Sequence, residues 1–128
     1  MSVNIYLIVA AIGWLETKHL VADFFLQSKR QLKFKGNYGH PVGMLHSAIH
    51  AAGSCAVFLI LPTTIVVGTA LIVGEFLLHY HIDWSKEQLG SRLKLNITQN
   101  LYWRLFGIDQ WLHHLTYLIY IVVLVPMQ

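Results

Sequence analysis

Charged residues are scarce in this chain of 128 residues. Asp, Glu, Lys and Arg together make up 12% of it, whereas a soluble domain normally carries about 25%. Hydrophobic residues make up 55%, and the mean hydropathy is +0.53. This composition excludes an ordinary soluble domain and predicts one integral membrane domain over residues 1–128. The net charge of +3 does not indicate nucleic-acid binding, because the basic residues cluster in two loops.

Cysteine is nearly absent as well. Cys55 is the single cysteine and lies in an apolar segment, which excludes an internal disulfide framework and a cysteine-rich zinc site. The first residues, MSVNIYLIVAAIG, contain no basic residue and no small-residue cleavage site. We therefore expect the first apolar segment to remain as a membrane helix and not to be removed as a signal peptide.

Four apolar segments are long enough to cross a membrane, which takes about 20 mostly apolar residues. They are predicted at about residues 3–27, 42–61, 63–83 and 105–125. Pro62 is followed by two threonines and marks a tight turn between the second and third helices. The sequence therefore predicts an all-α bundle of four membrane helices. The similar stretches HLVADF and HYHIDW in helices one and three indicate two pseudo-symmetric hairpins.

Lysine and arginine cluster in the loops that follow the first and third helices. With four spans these loops lie on one side, and the positive-inside rule places them in the cytoplasm and both termini outside. The second loop is flanked by the interfacial anchors Trp84, Tyr102 and Trp103. It is long enough for an amphipathic helix on the bilayer surface between helices three and four.

Each apolar segment carries two metal-capable side chains four residues apart. On a helix such residues share a face, and an ionisable side chain at membrane depth marks a functional site by default. The eight residues are His19 and Asp23, His46 and His50, His79 and Asp83, and Asp109 and His113. The predicted topology places all of them in the cytoplasmic third of the bundle, in two layers about one helical turn apart.

A mixed set of imidazoles and carboxylates suits a divalent transition metal, with zinc, manganese and iron preferred over calcium. A closed structural zinc site needs only four ligands. The larger set predicts a centre of one or two ions, which can activate water and stabilise a leaving oxygen. An isolated pair is more simply explained as an interhelical hydrogen bond, but four pairs at one depth favour metal binding. His81 and His114 face away and are expected to be packing or interfacial residues.

Further polar residues flank the predicted ligands. Glu16 and Glu75 precede ligands by about one turn, and are candidate general bases or hydrogen-bond partners of the ligating histidines. Lys86 is placed to meet an anionic substrate group at the cytoplasmic surface. Gln27 and Gln110 are candidates for orienting substrate or ligands.

The motifs HLVADFFLQ, LHSAIH, HYHIDWSK and GIDQWLHHL resemble those of a family of small bacterial and phage membrane proteins of unknown function. The resemblance runs from about Gly13 to Leu118 and implies a bacterial inner (cytoplasmic) membrane. It implies functional roles for the eight predicted ligands and for Gln27, Lys86 and Gln110. The architecture is also similar to proteins labelled membrane-bound metal-dependent hydrolases.

The leading hypothesis is a membrane-embedded metal-dependent hydrolase. Its site lies near the cytoplasmic face and acts on a phosphoester or related ester bond, in a lipid or another amphiphile. Metal-ion or proton transport is an alternative, although the outer halves of the helices offer few polar side chains for a path. A non-catalytic membrane factor with a structural metal and a haem bundle are further alternatives. Besides the lipid bilayer, a second copy of the chain is a candidate partner, as a homodimer.

Overall fold

The computed structural model describes residues 4–128, and every regular element in that range is helical. The α-helices are α1 (Ile5–Leu20), α2 (Lys29–Phe34), α3 (Pro41–Ser54), α4 (Ile65–Arg92) and α5 (Asn100–Leu124). A π-helical turn, Val21–Phe25, extends α1, and the 3-10 turns Cys55–Leu59 and Val125–Met127 extend α3 and α5.

Four of these helices are long and apolar enough to cross a membrane. With their extensions they are Ile5–Phe25, Pro41–Leu59, Ile65–Arg92 and Asn100–Met127. The predicted all-α architecture with four membrane-length helices is thereby confirmed. Which membrane the chain occupies, and which side its termini face, stay predictions.

Helix starts follow from local capping chemistry. The Asn4 side chain accepts a hydrogen bond from the Tyr6 amide at 2.9 Å, and the Thr64 side chain caps α4 in the same manner. Ser28 and Gln31 form a reciprocal capping box at the start of α2. Pro41 occupies the first turn of α3, where its missing N–H costs nothing.

The long helices close into a ring. α3 packs against α1 and α4, and α5 packs against α4 and α1, while the short α2 lies on α3. The apolar core consists of Ala11, Leu15, Val57, Leu61, Leu71, Tyr117, Tyr120 and Leu124. By their positions along the helices, these residues fill the half of the bundle nearest the Pro62 turn. The other half, toward the basic loops, is left for polar side chains.

The expected surface helix between the third and fourth membrane helices is not a separate element. α4 continues without a break to Arg92, and the residues from Asn100 onward already belong to α5. Extending a formed helix is easier than starting a new one, and the segment WSKEQLGSR contains no proline that would stop it. The short separate helix is α2, after the first membrane helix, where the sequence predicted a loop.

Candidate metal centre

All eight predicted ligands meet inside the bundle at the end that carries the basic loops. Seven of them are at most 4% exposed. The exception is Asp23, whose side chain is 12% exposed, so the group is reached from its Asp23 side. Some of the contacts join residues four apart on one helix, and others join two helices, so the cluster depends on the packing of the whole bundle.

Asp23 joins α1 to α3. Its Oδ1 atom lies 3.0 Å from His50 Nε2 and 3.2 Å from His46 Nε2. Its Oδ2 atom lies 3.3 Å from His19 Nε2. One carboxylate therefore faces the ε-nitrogens of three imidazoles on two helices.

Asp83 and Asp109 form the other side of the group. Asp83 Oδ2 lies 3.4 Å from His46 Nε2 and 3.5 Å from His79 Nε2. His113 Nε2 lies 3.6 Å from both Asp83 Oδ1 and Asp109 Oδ1. His46 thus stands between the two aspartates, Asp23 and Asp83, which links the two sides.

Two sets of donor atoms lie close enough together to hold an ion, with all atoms of a set within 4.8 Å of one another. One set is Asp23, His46, His50 and His79, and the other is His79, Asp83 and His113. Two ligands about 2.1 Å from one tetrahedral ion lie about 3.4 Å from each other. The nitrogen–oxygen distances of 3.0 to 3.6 Å match that spacing.

Unpaired polar atoms at the same place support this fit. Buried polar groups in proteins are nearly always hydrogen-bonded. Here both ring nitrogens of His79, His113 Nε2, Asp83 Oδ2 and Asp109 Oδ1 are buried without a hydrogen-bond partner among the described residues. A cation at this point would give His113 Nε2, Asp83 Oδ2 and one ring nitrogen of His79 a partner, so the side chains present fit a bound divalent metal.

The imidazole rings support one another. The His79 ring lies between those of His50 and His113, with centroid distances of 3.9 and 4.1 Å and interplanar angles of 31°. Such packing leaves the rings little room to rotate, which holds the ring nitrogens in place.

Asp23 lies in the π-helical turn that follows α1. The amide of Leu26 donates to the carbonyl of Val21 at 2.9 Å, five residues back. A π turn widens the helix by one residue per hydrogen bond, and such turns occur frequently at functional sites. The turn carries Asp23 to its contacts with His46 and His50 on α3.

The two predicted glutamines contact the centre. Gln110 Oε1 lies 3.1 Å from His19 Nε2, and its amide nitrogen lies 3.3 Å from Asp109 Oδ2 and 3.5 Å from Asp23 Oδ2. Gln27 Nε2 lies 3.0 Å from His46 Nε2. Both amides therefore occupy the more exposed edge of the group, beside Asp23.

The predicted acid and base residues lie elsewhere. Glu16 pairs with His114 Nδ1 at 2.6 Å, and both side chains are 41% exposed. Glu75 binds Lys18 and accepts from the Tyr120 hydroxyl at 2.6 Å. Neither carboxylate therefore makes the expected hydrogen bond to His19 or His79, and a role as general base stays a prediction. His19 Nδ1 instead lies 2.7 Å from the Tyr117 hydroxyl, and the Glu75 carboxylate is already paired with Lys18 and Tyr120.

Lys86 does not contact the centre either. Its Nζ atom donates to Glu87 Oε1 at 2.7 Å. Lys35 instead contacts the carboxylate of a predicted ligand, with its Nζ atom 3.2 Å from Asp83 Oδ1. Burial alone would lower the pKa of Lys35, but the neighbouring carboxylates Asp83 and Glu87 outweigh it and raise that pKa above its ordinary value.

Sequence reasoning missed Lys35 because it lies in a basic loop, where lysines usually contact water and headgroups. Gly43 permits its burial, since a Cβ at this position would lie 3.3 Å from Lys35 Cα. Sequence reasoning also missed Lys18. Its signal was available, because a lysine inside an apolar helix is expensive without a buried partner.

Searches of curated proteins and of solved structures found no match. One family model, described as "Protein of unknown function (DUF3307)", matches residues 14–128. That range contains every side chain of the candidate metal centre. The resemblance to a family of unknown function is confirmed, whereas the bacterial or phage origin and the similarity to hydrolases stay predictions. The chain belongs to the DUF3307 family of proteins of unknown function.

Proposed function

We propose that this protein is a membrane-embedded metal-dependent hydrolase that cleaves a phosphoester or a related ester bond. The observation that carries the proposal is the meeting of five histidines and three aspartates from all four long helices. Six of them form two donor sets that could hold an ion, and unpaired buried atoms lie at the meeting point. A purely structural cross-link between helices would not need so many ligands, because four are enough for a closed site.

The two donor sets would hold a divalent transition ion, which would supply an acidified water and a Lewis acid for a phosphoryl oxygen. The chain itself supplies the rest of the site. Gln27 and Gln110 present amides beside Asp23, where a substrate oxygen can accept a hydrogen bond. Lys35 places a positive charge beside Asp83, which stabilises negative charge on a bound ester as well as on the carboxylate.

The position of the centre favours hydrolysis over transport. Beyond the His/Asp group the bundle is closed by the Lys18–Glu75 pair and then by the apolar core around Leu15, Leu61 and Leu124. An ion crossing the membrane would have to pass through this packed apolar layer, at high cost. The most exposed ligand is Asp23, which lies away from that apolar layer, and this suits a substrate that enters and leaves on one face.

Metal content is the first test, and the chain provides matched controls. His79→Ala and His113→Ala remove predicted ligands, whereas His81→Ala and His114→Ala remove histidines within two positions of them that contact Tyr38 and Glu16 instead. In detergent-purified protein, metal measured by mass spectrometry should be lost from the first two variants and kept in the others. Equal metal content in all four variants would refute the centre.

Turnover is the second test. Purified protein is stripped with chelator, reloaded with zinc, manganese or iron(II), and assayed against a chromogenic phosphodiester and against phospholipid. We expect hydrolysis that disappears with the metal, returns on reloading, and is absent from His113→Ala but present in His114→Ala. Hydrolysis that persists in metal-free protein would refute the mechanism. Metal binding without hydrolysis of any ester would leave a structural role for the ion and refute the enzymatic one.

A further inference from the structure

A groove of about 280 Å³ runs between α4 and α5 on the outer surface of the bundle. Its walls are mainly aliphatic, from Ile82 and Leu89 on α4 and from Leu105, Ile108 and Leu112 on α5. Asp109, a residue of the candidate metal centre, also lines it. The groove therefore connects the lipid-facing surface of the two helices with one edge of the centre.

A second cavity of about 240 Å³ continues the groove toward the α4–α5 loop. The two cavities share Lys86 and Leu105. The lining of the second one is more polar than that of the groove and includes Lys94, Ser91 and Glu87. Two lysines and one glutamate leave a net positive charge, so this end favours an anion.

The order of polarity along the two cavities matches that of a phospholipid in a bilayer. The aliphatic groove lies at the depth of membrane-spanning residues such as Leu112, and the lysines lie at the end nearest the loop. Residues His81 and Leu89 on α4 mark its ends, and eight helical steps between them correspond to about 12 Å. That length accommodates part of one acyl chain lying parallel to the helices.

We propose that these joined cavities bind one anionic phospholipid, with an acyl chain between α4 and α5 and the phosphate between Lys86 and Lys94. Because Asp109 lines the groove and the two cavities join at Lys86 and Leu105, this arrangement would place the glycerol ester end of the lipid next to the edge of the centre. The proposal deepens the proposed function by naming the substrate class, and it rests on that function only for the fate of the lipid. Binding itself needs no metal.

The net charge of the headgroup decides which lipid is bound, because anionic and zwitterionic phospholipids both carry the phosphate. Surrounding acyl chains are as apolar as the groove, so burying one more chain contributes little net attraction inside a membrane. The acyl chain sets the position of the lipid, whereas the lysines select an anionic headgroup through charge-assisted hydrogen bonds. Lys86 must then share its ammonium between Glu87, at 2.7 Å, and the phosphate.

Native mass spectrometry of the detergent-solubilised full chain tests this proposal. The protein carries His79→Ala, so that lipid is not consumed, and is titrated with dioleoyl phosphatidylglycerol or with dioleoyl phosphatidylcholine. We expect one tightly retained phosphatidylglycerol, bound at least tenfold more tightly than phosphatidylcholine. Addition of glycerol 3-phosphate, which has the phosphate but no acyl chain, should not displace it at millimolar concentration.

Paired variants locate the lipid. Lys86→Gln should weaken phosphatidylglycerol binding about tenfold, and Ile108→Trp, which fills the groove, should do so without changing the headgroup contacts. Their controls are Lys33→Gln and Val122→Trp, which change exposed residues outside both cavities and should bind as the parent does. Circular dichroism confirms that each variant is folded.

Three results would overturn the lipid site. They are equal binding of the two phospholipids, unchanged binding in both Lys86→Gln and Ile108→Trp, and displacement by glycerol 3-phosphate, which would assign the anion site to a soluble phosphoester. Because the protein used here lacks a predicted metal ligand, none of these results depends on hydrolysis. A bound lipid that is never cleaved by the metal-loaded wild type would instead refute the proposed function alone.

Discussion

Replacing Lys18 by methionine tests the buried ion pair that lies beneath the candidate metal centre. Lys18 and Glu75 are 7% and 2% exposed, and they join α1 directly to α4. Lys18 Nζ also donates to the His50 carbonyl at 3.1 Å and lies 4.4 Å from the centre of the Tyr117 ring. Methionine keeps most of the length of the side chain while removing its charge and its three donors.

The expected cost follows from what the substitution leaves behind. Without Lys18, the Glu75 carboxylate is buried with only the Tyr120 hydroxyl as its partner. Removing one member of a buried ion pair costs about 3–5 kcal/mol of stability, whereas replacing both members by apolar groups is often close to neutral. In Lys18→Met, Glu75→Leu the Tyr120 hydroxyl loses its acceptor, which costs about 1–3 kcal/mol. Adding Tyr120→Phe should recover most of that loss.

The assay is reversible unfolding in mixed micelles, with the helical circular dichroism followed against the fraction of denaturing detergent. The predicted order of stability is wild type and triple variant highest, the double variant next, and Lys18→Met lowest. Glu75→Leu alone should be about as unstable as Lys18→Met, because it leaves the Lys18 ammonium buried without its carboxylate partner. A Lys18→Met protein within about 1 kcal/mol of wild type, or a double variant as unstable as the summed single variants, would refute the reasoning.

Two further predictions concern the α2–α3 connection. Lys35→Met should destabilise the protein by a constant amount between pH 6 and 9. Because the pKa of Lys35 is raised in the folded protein, its contribution to stability is intact below the ordinary value of 10.5 and is lost only above it. Thermal unfolding at each pH measures this, and a stability difference between wild type and variant that fades below pH 9 would contradict it. Gly43→Val should cost about 1–3 kcal/mol, since its Cβ already meets Lys35 Cα at 3.3 Å. Gly13→Ala has open space around its Cβ and should stabilise α1 by up to about 1 kcal/mol in the same assay.

The convergence of the four His/Asp pairs at one end of the bundle could be predicted from the sequence, because it depends on short-range geometry. His46 and His50, like Asp109 and His113, lie within single regular α-helices, so the i to i+4 rule holds there. The up-and-down order of four long apolar segments then brings pairs at equal depth to one end of the bundle. Local spacing and hydropathy were sufficient for this part of the site.

The partners of the remaining polar residues could not be predicted in this way. Glu75 lies on the buried face four residues before His79, as its spacing indicated, but its partner Lys18 comes from α1. The contacts between two helices depend on how far one helix is shifted along the other. That shift cannot be inferred from a single sequence. The π turn around Asp23 could not be predicted for the same reason. It is accompanied by contacts with His46 and His50 on another helix, and no local sequence motif indicates it.

Charge balance inside the bundle predicts how many ions the centre holds. The buried charged groups around it are the carboxylates of Asp23, Asp83 and Asp109 and the ammonium of Lys35. With the imidazoles neutral, as ligation requires, three negative charges and one positive charge leave two negative charges. One divalent ion neutralises them, whereas a second ion would leave two uncompensated positive charges, at a cost of several kcal/mol in a poorly solvated site.

We therefore expect one ion per chain in an anion-free buffer and a second ion only together with an anion such as phosphate. Metal content measured after dialysis against zinc, with and without phosphate, tests this expectation. Lys35→Met removes the positive charge and should promote binding of the second ion, whereas Asp109→Asn should oppose it. Two ions retained per wild-type chain without any added anion would show that charge balance does not govern occupancy of the centre.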